Sequence, residues 1–205
     1  FMALPTDLSA ISGRVFYLSG GYKYAMAGEN VCFIHCPPGH APRPRDTGWY
    51  AAFGALTERQ VGVPYGAKGG RFWGATFDPV GLYRQRAVFA WMDEIGLTIP
   101  ALHHHALALQ ERFLEGVRAS ALADFRAARL ITPMSTSQRG HFLTFETSEA
   151  GSMHERLLAA GIITDMRADR IRFGFGCYQT AEDIEIAVDA VSRALRHPSR
   201  MTSPA

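Results

Sequence analysis

The apolar positions of this chain run in two rhythms. In the first third they form short runs bounded by Gly, Pro and Asn, which predict strands over residues 14–19 and 30–36. Further on they repeat every three or four residues. Leu82, Val88, Phe89 and Met92 predict a helix over 79–95 that ends at Gly96, and Leu102, Leu107, Leu114 and Val117 predict a longer one over 100–119. Strand and helix patterns then alternate. A strand is expected over 141–147, a helix over 150–160 closed by Gly161, and short strands over 162–166 and 170–175. A last helix runs from Thr180 to about residue 195, with Asp183 placed to complete a cap. Pro5 and Asp7 suit one helical turn over 5–11, and residues 49–56 a short helix. Four prolines over 37–46 impose an extended loop, residues 61–70 read as glycine-rich loop, and the polar tail from His197 is expected to fray. The early part reads as the end of an α/β sheet and the later part as a small α+β domain, with domains over 1–96 and 97–205.

Composition narrows the class. The chain has 205 residues, 47% hydrophobic and 20% charged, enough for one good core or two small ones. A net charge of +2 leaves no electrostatic footprint for nucleic acid or membrane. No apolar run approaches the roughly 18 residues of a membrane span, and no secretory leader pattern is present. Three cysteines do not suggest a disulfide framework. Cys32 and Cys36 alternate with Ile34 and are expected to be buried thiols, which fits a cytoplasmic protein. The chain opens Phe1-Met2-Ala3-Leu4-Pro5, without a leading methionine, and is expected to be a piece of a longer protein.

Lys23 carries the most chemistry. It follows a strand and two glycines, Gly20 and Gly21, and sits between Tyr22 and Tyr24. The chain has only two lysines, Lys23 and Lys68, against nineteen arginines, so Lys23 does not belong to a general basic surface. An amine at a rigid strand end suits a Schiff base with a carbonyl cofactor; the alternative is a solvated loop lysine. The run His103-His104-His105 is not expected to bind metal, because helical neighbours point in different directions. Cys177 reads as structural. Gly69 and Gly70 lack the lysine–serine pair of a nucleotide loop.

The order of motifs is more specific than any one of them. After Tyr22-Lys23-Tyr24 come Thr47-Gly48-Trp49-Tyr50 and Gly70-Arg71-Phe72-Trp73-Gly74-Ala75-Thr76. Then follow Gly161-Ile162-Ile163-Thr164-Asp165-Met166-Arg167, Arg170-Ile171-Arg172-Phe173-Gly174 and Tyr178-Gln179-Thr180-Ala181-Glu182-Asp183. This succession resembles the second half of the class V, fold type I pyridoxal-phosphate enzymes, and among them the kynureninases, over nearly the whole chain. The resemblance implies an α/β fold: the C-terminal part of the large cofactor-binding domain followed by a small α+β domain. It implies pyridoxal 5'-phosphate as cofactor, an amino-acid substrate and a homodimer with shared active sites. Lys23 matches the lysine that joins the cofactor and shuttles a proton, which requires a neutral amine. Tyr22, Trp49 and Thr76 match residues that reach the cofactor phosphate, through a phenol, an indole N–H and a hydroxyl. Arg172 matches the arginine that clamps the substrate carboxylate, with Arg170 expected on the other face of the strand. The run Thr76-Phe77-Asp78-Pro79 departs from the family pattern, and Asp78 is expected to cap the next helix. The resemblance puts a class V aminotransferase first, a kynureninase-like hydrolase second, and a non-catalytic interaction module third. In this family the group that pairs with the pyridine nitrogen precedes the lysine, so this chain alone is expected to hold cofactor poorly and to be inactive.

Overall fold

A computed structural model describes residues 2–59, 61–62 and 64–196. The tail from His197 lies outside them. The chain divides into two units, one spanning Thr6–Gly96 and the other running from Leu97 and joined by Met2–Pro5.

In the first unit, strands β1 (Tyr17–Gly20) and β2 (Cys32–His35) pair as an antiparallel ribbon, Tyr17 opposite His35 and Gly20 opposite Cys32. Two short 3-10 helices follow, Trp49–Ala55, kinked at Ala52, and Lys68–Phe72. Helix α1 (Val80–Glu94) begins where Asp78 Oδ1 accepts the Val80 N–H at 2.9 Å, the cap expected of Asp78. It ends at Gly96, whose φ of 67° continues the chain in the left-handed region. Gly81 is buried on α1 against the backbone of residue 30, and a Cβ there would come within 2.6 Å of the Asn30 carbonyl oxygen.

Three expectations for this unit need correction. Residues 5–11 form no helix. The Ser9 N–H turns to Asp7 Oδ1 at 2.8 Å and successive turns run to Arg14, because an isolated turn does not offset its nucleation cost. Strand β1 starts at Tyr17 rather than near residue 14, since the Arg14 N–H is already held by the Ile11 carbonyl at 2.9 Å. The thiols are not both buried. Cys32 is exposed and Cys36 half-buried. Strand β2 turns its other face inward: Phe33 packs on Tyr17 with ring centroids 5.8 Å apart, and His35 Nε2 donates to the Ser12 carbonyl at 2.9 Å.

The second unit is an antiparallel sheet covered by helices. Helix α2 (Ile99–Ala119) starts at Thr98, whose hydroxyl accepts the Ala101 N–H, with Pro100 in the first turn. Then come α3 (Ala123–Ala127), β3 (Arg129–Leu130), β4 (Phe142–Glu146), α4 (Ala150–Ala159), β5 (Asp165–Arg167), β6 (Arg170–Gly174) and α5 (Ala181–Arg196). The sheet order is β3-β4-β6-β5. Helix α4 closes with Gly161 at φ 79°, its N–H on the Leu158 carbonyl and that of Ile162 on the Leu157 carbonyl. Helix α5 opens with a reciprocal cap, the Thr180 N–H on Asp183 Oδ2 at 2.7 Å and the Asp183 N–H on Thr180 Oγ1 at 3.1 Å. The short α3 and β3 and the shift of β5 to 165–167 escape the sequence pattern, because five or fewer residues carry too little periodicity.

Leu109, Phe113, Leu114 and Val117 of α2 meet Leu143 and Phe145 of β4, Ile171 and Phe173 of β6, and Val188 and Val191 of α5 in one core. Phe113 touches Phe173 at 5.0 Å and Phe175 at 5.7 Å. Burial of each such side chain contributes about 1.5 to 3 kcal/mol. Gly116 lets α2 and α5 close on each other, since a Cβ there would lie 2.8 Å from both methyl carbons of Val188.

Segment 133–141 is strapped to α2 by polar contacts. His103 Nε2 donates to the Thr136 carbonyl at 3.0 Å and Gln110 Nε2 to the Gly140 carbonyl at 2.8 Å. The buried Arg139 pairs with Glu111 at 2.5 Å and donates to the Pro133 and Met134 carbonyls. His141 stacks on His103 with ring centroids 5.7 Å apart. Among the described residues no His, Cys, Asp and Glu group has the geometry of a metal site. Burial, then the neighbouring His103 and His105, push the His141 imidazole down to about 4.

Two outcomes follow from this packing. His141 stays neutral when folded, while the unfolded imidazole takes a proton first. Stability should be complete above about pH 6.5 and fall by on the order of 2 kcal/mol, after solvent screening, as pH drops towards 4. Urea unfolding at stepped pH should show the slope, and His141→Gln should flatten it. Gly116→Ala should destabilise by about 1 to 2 kcal/mol, and Val188→Ala in the same chain should recover part of that loss.

Candidate functional site

Lys23 lies in the connection between β1 and β2, and backbone hydrogen bonds tie that connection tightly. The Gly21 N–H reaches the Val31 carbonyl at 2.7 Å, the Ala27 N–H the Gly21 carbonyl at 2.8 Å, and the Met26 N–H the Lys23 carbonyl at 2.9 Å. Gly21, Ala25, Ala27 and Val31 form its buried underside, while Tyr22 and Lys23 stay exposed. Three residues in the left-handed region, Met26, Gly28 and Asn30, bend it back on itself. The Tyr22 ring folds over Gly20, where any side chain would overlap it, and Lys23 Nζ stands 5.7 Å from the centre of that ring. Among the described residues Lys23 makes no ion pair, so its amine is open to a ligand. Helix α1 supports this turn through Gly81 against residue 30 and through Arg84, whose Nη2 donates to the Glu29 carbonyl at 2.5 Å.

Trp49 and Thr76 belong to a second patch of the same unit. Trp49 is exposed at the start of its 3-10 helix and meets Tyr50 at 5.4 Å and Phe53 at 6.0 Å. Tyr50 stacks on Trp73 at 5.3 Å and meets Phe77 at 6.3 Å, which brings the loop around the exposed Thr76 to the same aromatic cluster. The two loops cross at glycine, for a Cβ on Gly48 would overlap the Gly74 carbonyl oxygen. A cavity of about 450 Å³ beside Trp49 is lined by Thr47, Gly48, Ala52, Ala55 and Leu56 among others. Arg71, to which no local sequence signal assigns a role, organises this region. Its Nε donates to the Ala41 carbonyl at 2.8 Å and its Nη2 to the His40 carbonyl at 3.1 Å and to Cys36 Sγ at 3.2 Å. The structure thus joins Tyr22 to Lys23, and Trp49 to the loop of Thr76, as two patches of one unit.

Arg172 lies in the second unit, on β6. Ile171 and Phe173 enter the core, so Arg170 and Arg172 share the opposite face. The expectation that they point apart is thereby corrected: residues two apart on a strand face the same way. Arg172 pairs with Asp165 on β5, its direct cross-strand partner, and its guanidinium lies 5.4 Å from the centre of the Phe142 ring. Arg170 pairs with Glu146 at 3.5 Å. Asp165 stands within the Gly161–Arg167 motif, and its pairing depends on the β5–β6 register, which no local pattern in the sequence reveals.

Residues 102–191 match the kynureninase C-terminal domain family. The kynureninase of Deinococcus radiodurans is 26% identical over 200 residues, covering 94% of this chain and 47% of that protein. The kynureninase of Pseudomonas fluorescens is 33% identical over 110 residues, covering 53% and 25%. The chain therefore spans about half, or less, of the curated relatives it matches. In fold it is similar to the apo cysteine desulfurase of Thermococcus onnurineus NA1 (TM-score 0.69, 13% identity, 88% of this chain and 47% of that one). It is likewise similar to the cystine C-S lyase C-DES solved with cysteine persulfide (TM-score 0.70, 16% identity, 93% and 49%). The chain thus has the mixed α/β architecture found in the C-terminal portions of fold type I enzymes. Kynureninases and cysteine desulfurases are pyridoxal-phosphate-dependent.

The side chains fit such a group chemically: an open amine beside a phenol in one patch, and an indole and a hydroxyl in the other, form a donor set for an anionic aldehyde. The first amide of α1 is taken by Asp78. Gly48→Ala should force the two aromatic loops apart, with a change in tryptophan fluorescence and a loss of about 1 to 3 kcal/mol in denaturant unfolding. Gly69→Ala, which has open space around it, should leave both within error.

Proposed function

We propose that this chain carries the lysine and the substrate-binding arginine of a pyridoxal-phosphate-dependent enzyme that acts on an amino acid, with kynureninase-like hydrolysis of a side-chain carbon–carbon bond as its reaction. One observation carries this: the alignment with the Deinococcus radiodurans kynureninase covers 94% of the chain, so the unit with Lys23 and the unit with Arg172 fall within one relative. Thr6–Gly96 is then the C-terminal part of the cofactor-binding domain, and the segment from Leu97 the small domain. Transamination is the second reading. It is favoured by the loop at 76–79, where Asp78 occupies the start of α1.

Bound pyridoxal phosphate supplies an electron sink for negative charge at the substrate Cα. Lys23 Nζ would hold it through its aldehyde carbon, and the same amine is placed to carry the proton of the substrate Cα. Tyr22, Trp49 and Thr76 hold the phosphate through a phenol, an indole N–H and a hydroxyl. Arg172 binds the substrate carboxylate, and its fixed fork orients the Cα–H bond. A homodimer with shared sites, in the cytoplasm, completes the proposal. Its support there is three cysteines without a disulfide; among the described residues no helix is long and apolar enough to cross a membrane.

The intact protein mixed with pyridoxal phosphate should develop a visible absorbance band that borohydride fixes to the peptide containing Lys23. Lys23→Ala should lose both band and turnover. Supplied with L-kynurenine, a hydrolase releases alanine without an added oxo acid, whereas an aminotransferase needs one. Persistence of band and turnover in Lys23→Ala sinks the assignment.

A further inference from the structure

Two residues outside the assigned set hold the Arg172 guanidinium. Asp165 Oδ2 accepts from Arg172 Nε at 2.5 Å and also from Nη2. The Phe142 ring lies under one face, 5.4 Å from Cζ to its centre. An arginine offers two parallel pairs of N–H donors, a side edge made of Nε and Nη2 and an end edge made of Nη1 and Nη2. Asp165 takes the side edge. Among the described residues Nη1 makes no hydrogen bond, so the end edge is left with the paired geometry that a carboxylate accepts. Arg167 Nε stands 3.6 Å from the same Asp165 oxygen, so two guanidiniums share one carboxylate and the group of three carries a net positive charge.

We propose that Asp165 is the positioning residue for substrate carboxylate binding. By holding the side edge of Arg172 it directs the end edge to the carboxylate, while Phe142 limits the tilt of the guanidinium plane. This role rests on the proposed carboxylate-binding function of Arg172. Arginine has many rotamers, and one that is already held loses less freedom when its ligand arrives. The pair is partly exposed on the sheet, where ion pairs add little to stability, so removing it should leave the fold in place.

The test compares wild-type protein with Asp165→Ala, Asp165→Asn and Arg172→Ala, each intact and loaded with pyridoxal phosphate. Each is titrated with L-kynurenine and with its carboxamide, which lacks the carboxylate; binding is followed by absorbance, turnover in parallel, and melting temperature as a control. Asp165→Ala should raise KM for the acid roughly tenfold with kcat within about twofold, and leave affinity for the amide unchanged. Asp165→Asn keeps an acceptor for the side edge and should stay within about threefold of wild type. Equal losses on acid and amide, an asparagine variant as weak as the alanine one, or normal acid binding by Asp165→Ala while Arg172→Ala is weak, each overturns the positioning role alone. Normal acid binding by Arg172→Ala, or a wild-type protein that binds neither compound, removes the proposed function and this role with it.

Discussion

Strand β6 alternates strictly between core and surface, and the placement of Arg172 depends on that alternation. Ile171 and Phe173 are drawn inward by α2, where Phe113 packs against Phe173, and by the neighbouring side chains of β4. Period two then leaves Arg170 and Arg172 no choice but the open face. A slip of one residue in the β4–β6 register would bury two guanidiniums and expose the apolar pair, at a cost far beyond the stability of a small domain. The hydrophobic core of the second unit thus fixes a polar group it never touches. Gly116 serves the same end more remotely, because it lets α2 and α5 approach closely enough to shut the core.

The first unit achieves order differently. Its buried residues are few and small, and its loops are set by backbone contacts at glycine and by carbonyl acceptors around Arg71. The backbone at Lys23 is held because the turn closes on itself through hydrogen bonds. An exposed amine on a backbone held in this way suits the proposed attachment of a carbonyl cofactor. The exposed aromatic cluster around Trp49 and Trp73 has a related character, for its rings brace one another while leaving the indole of Trp49 accessible.

Chemistry in the two units is therefore held in place by different forces. Apolar burial and strand register orient Arg172, while hydrogen-bonded turns and close glycine contacts orient Lys23, Tyr22, Trp49 and Thr76. The strap over α2 adds a third element, in which the buried Arg139 and the stacked His103 and His141 tie the approach to β4 through carbonyl oxygens. The lowered pKa of the buried His141 makes this strap sensitive to acid.

Long helices were legible in the sequence because their apolar spacing repeats over several turns and their ends carry local signals: Gly96, Gly161, and Thr180 with Asp183. The order of motifs around Lys23 and Arg172 was legible as well, since it depends only on residue identity and spacing. The sequence by itself thus determined which long helices form, where they stop, and the resemblance to kynureninases. It did not determine that Cys32 faces outward, that Asp165 takes one edge of Arg172, or that Gly48 and Gly74 touch. Those facts depend on strand register and on which face finds a partner. Both are settled by contacts between residues distant in the chain, whose strength no local pattern records.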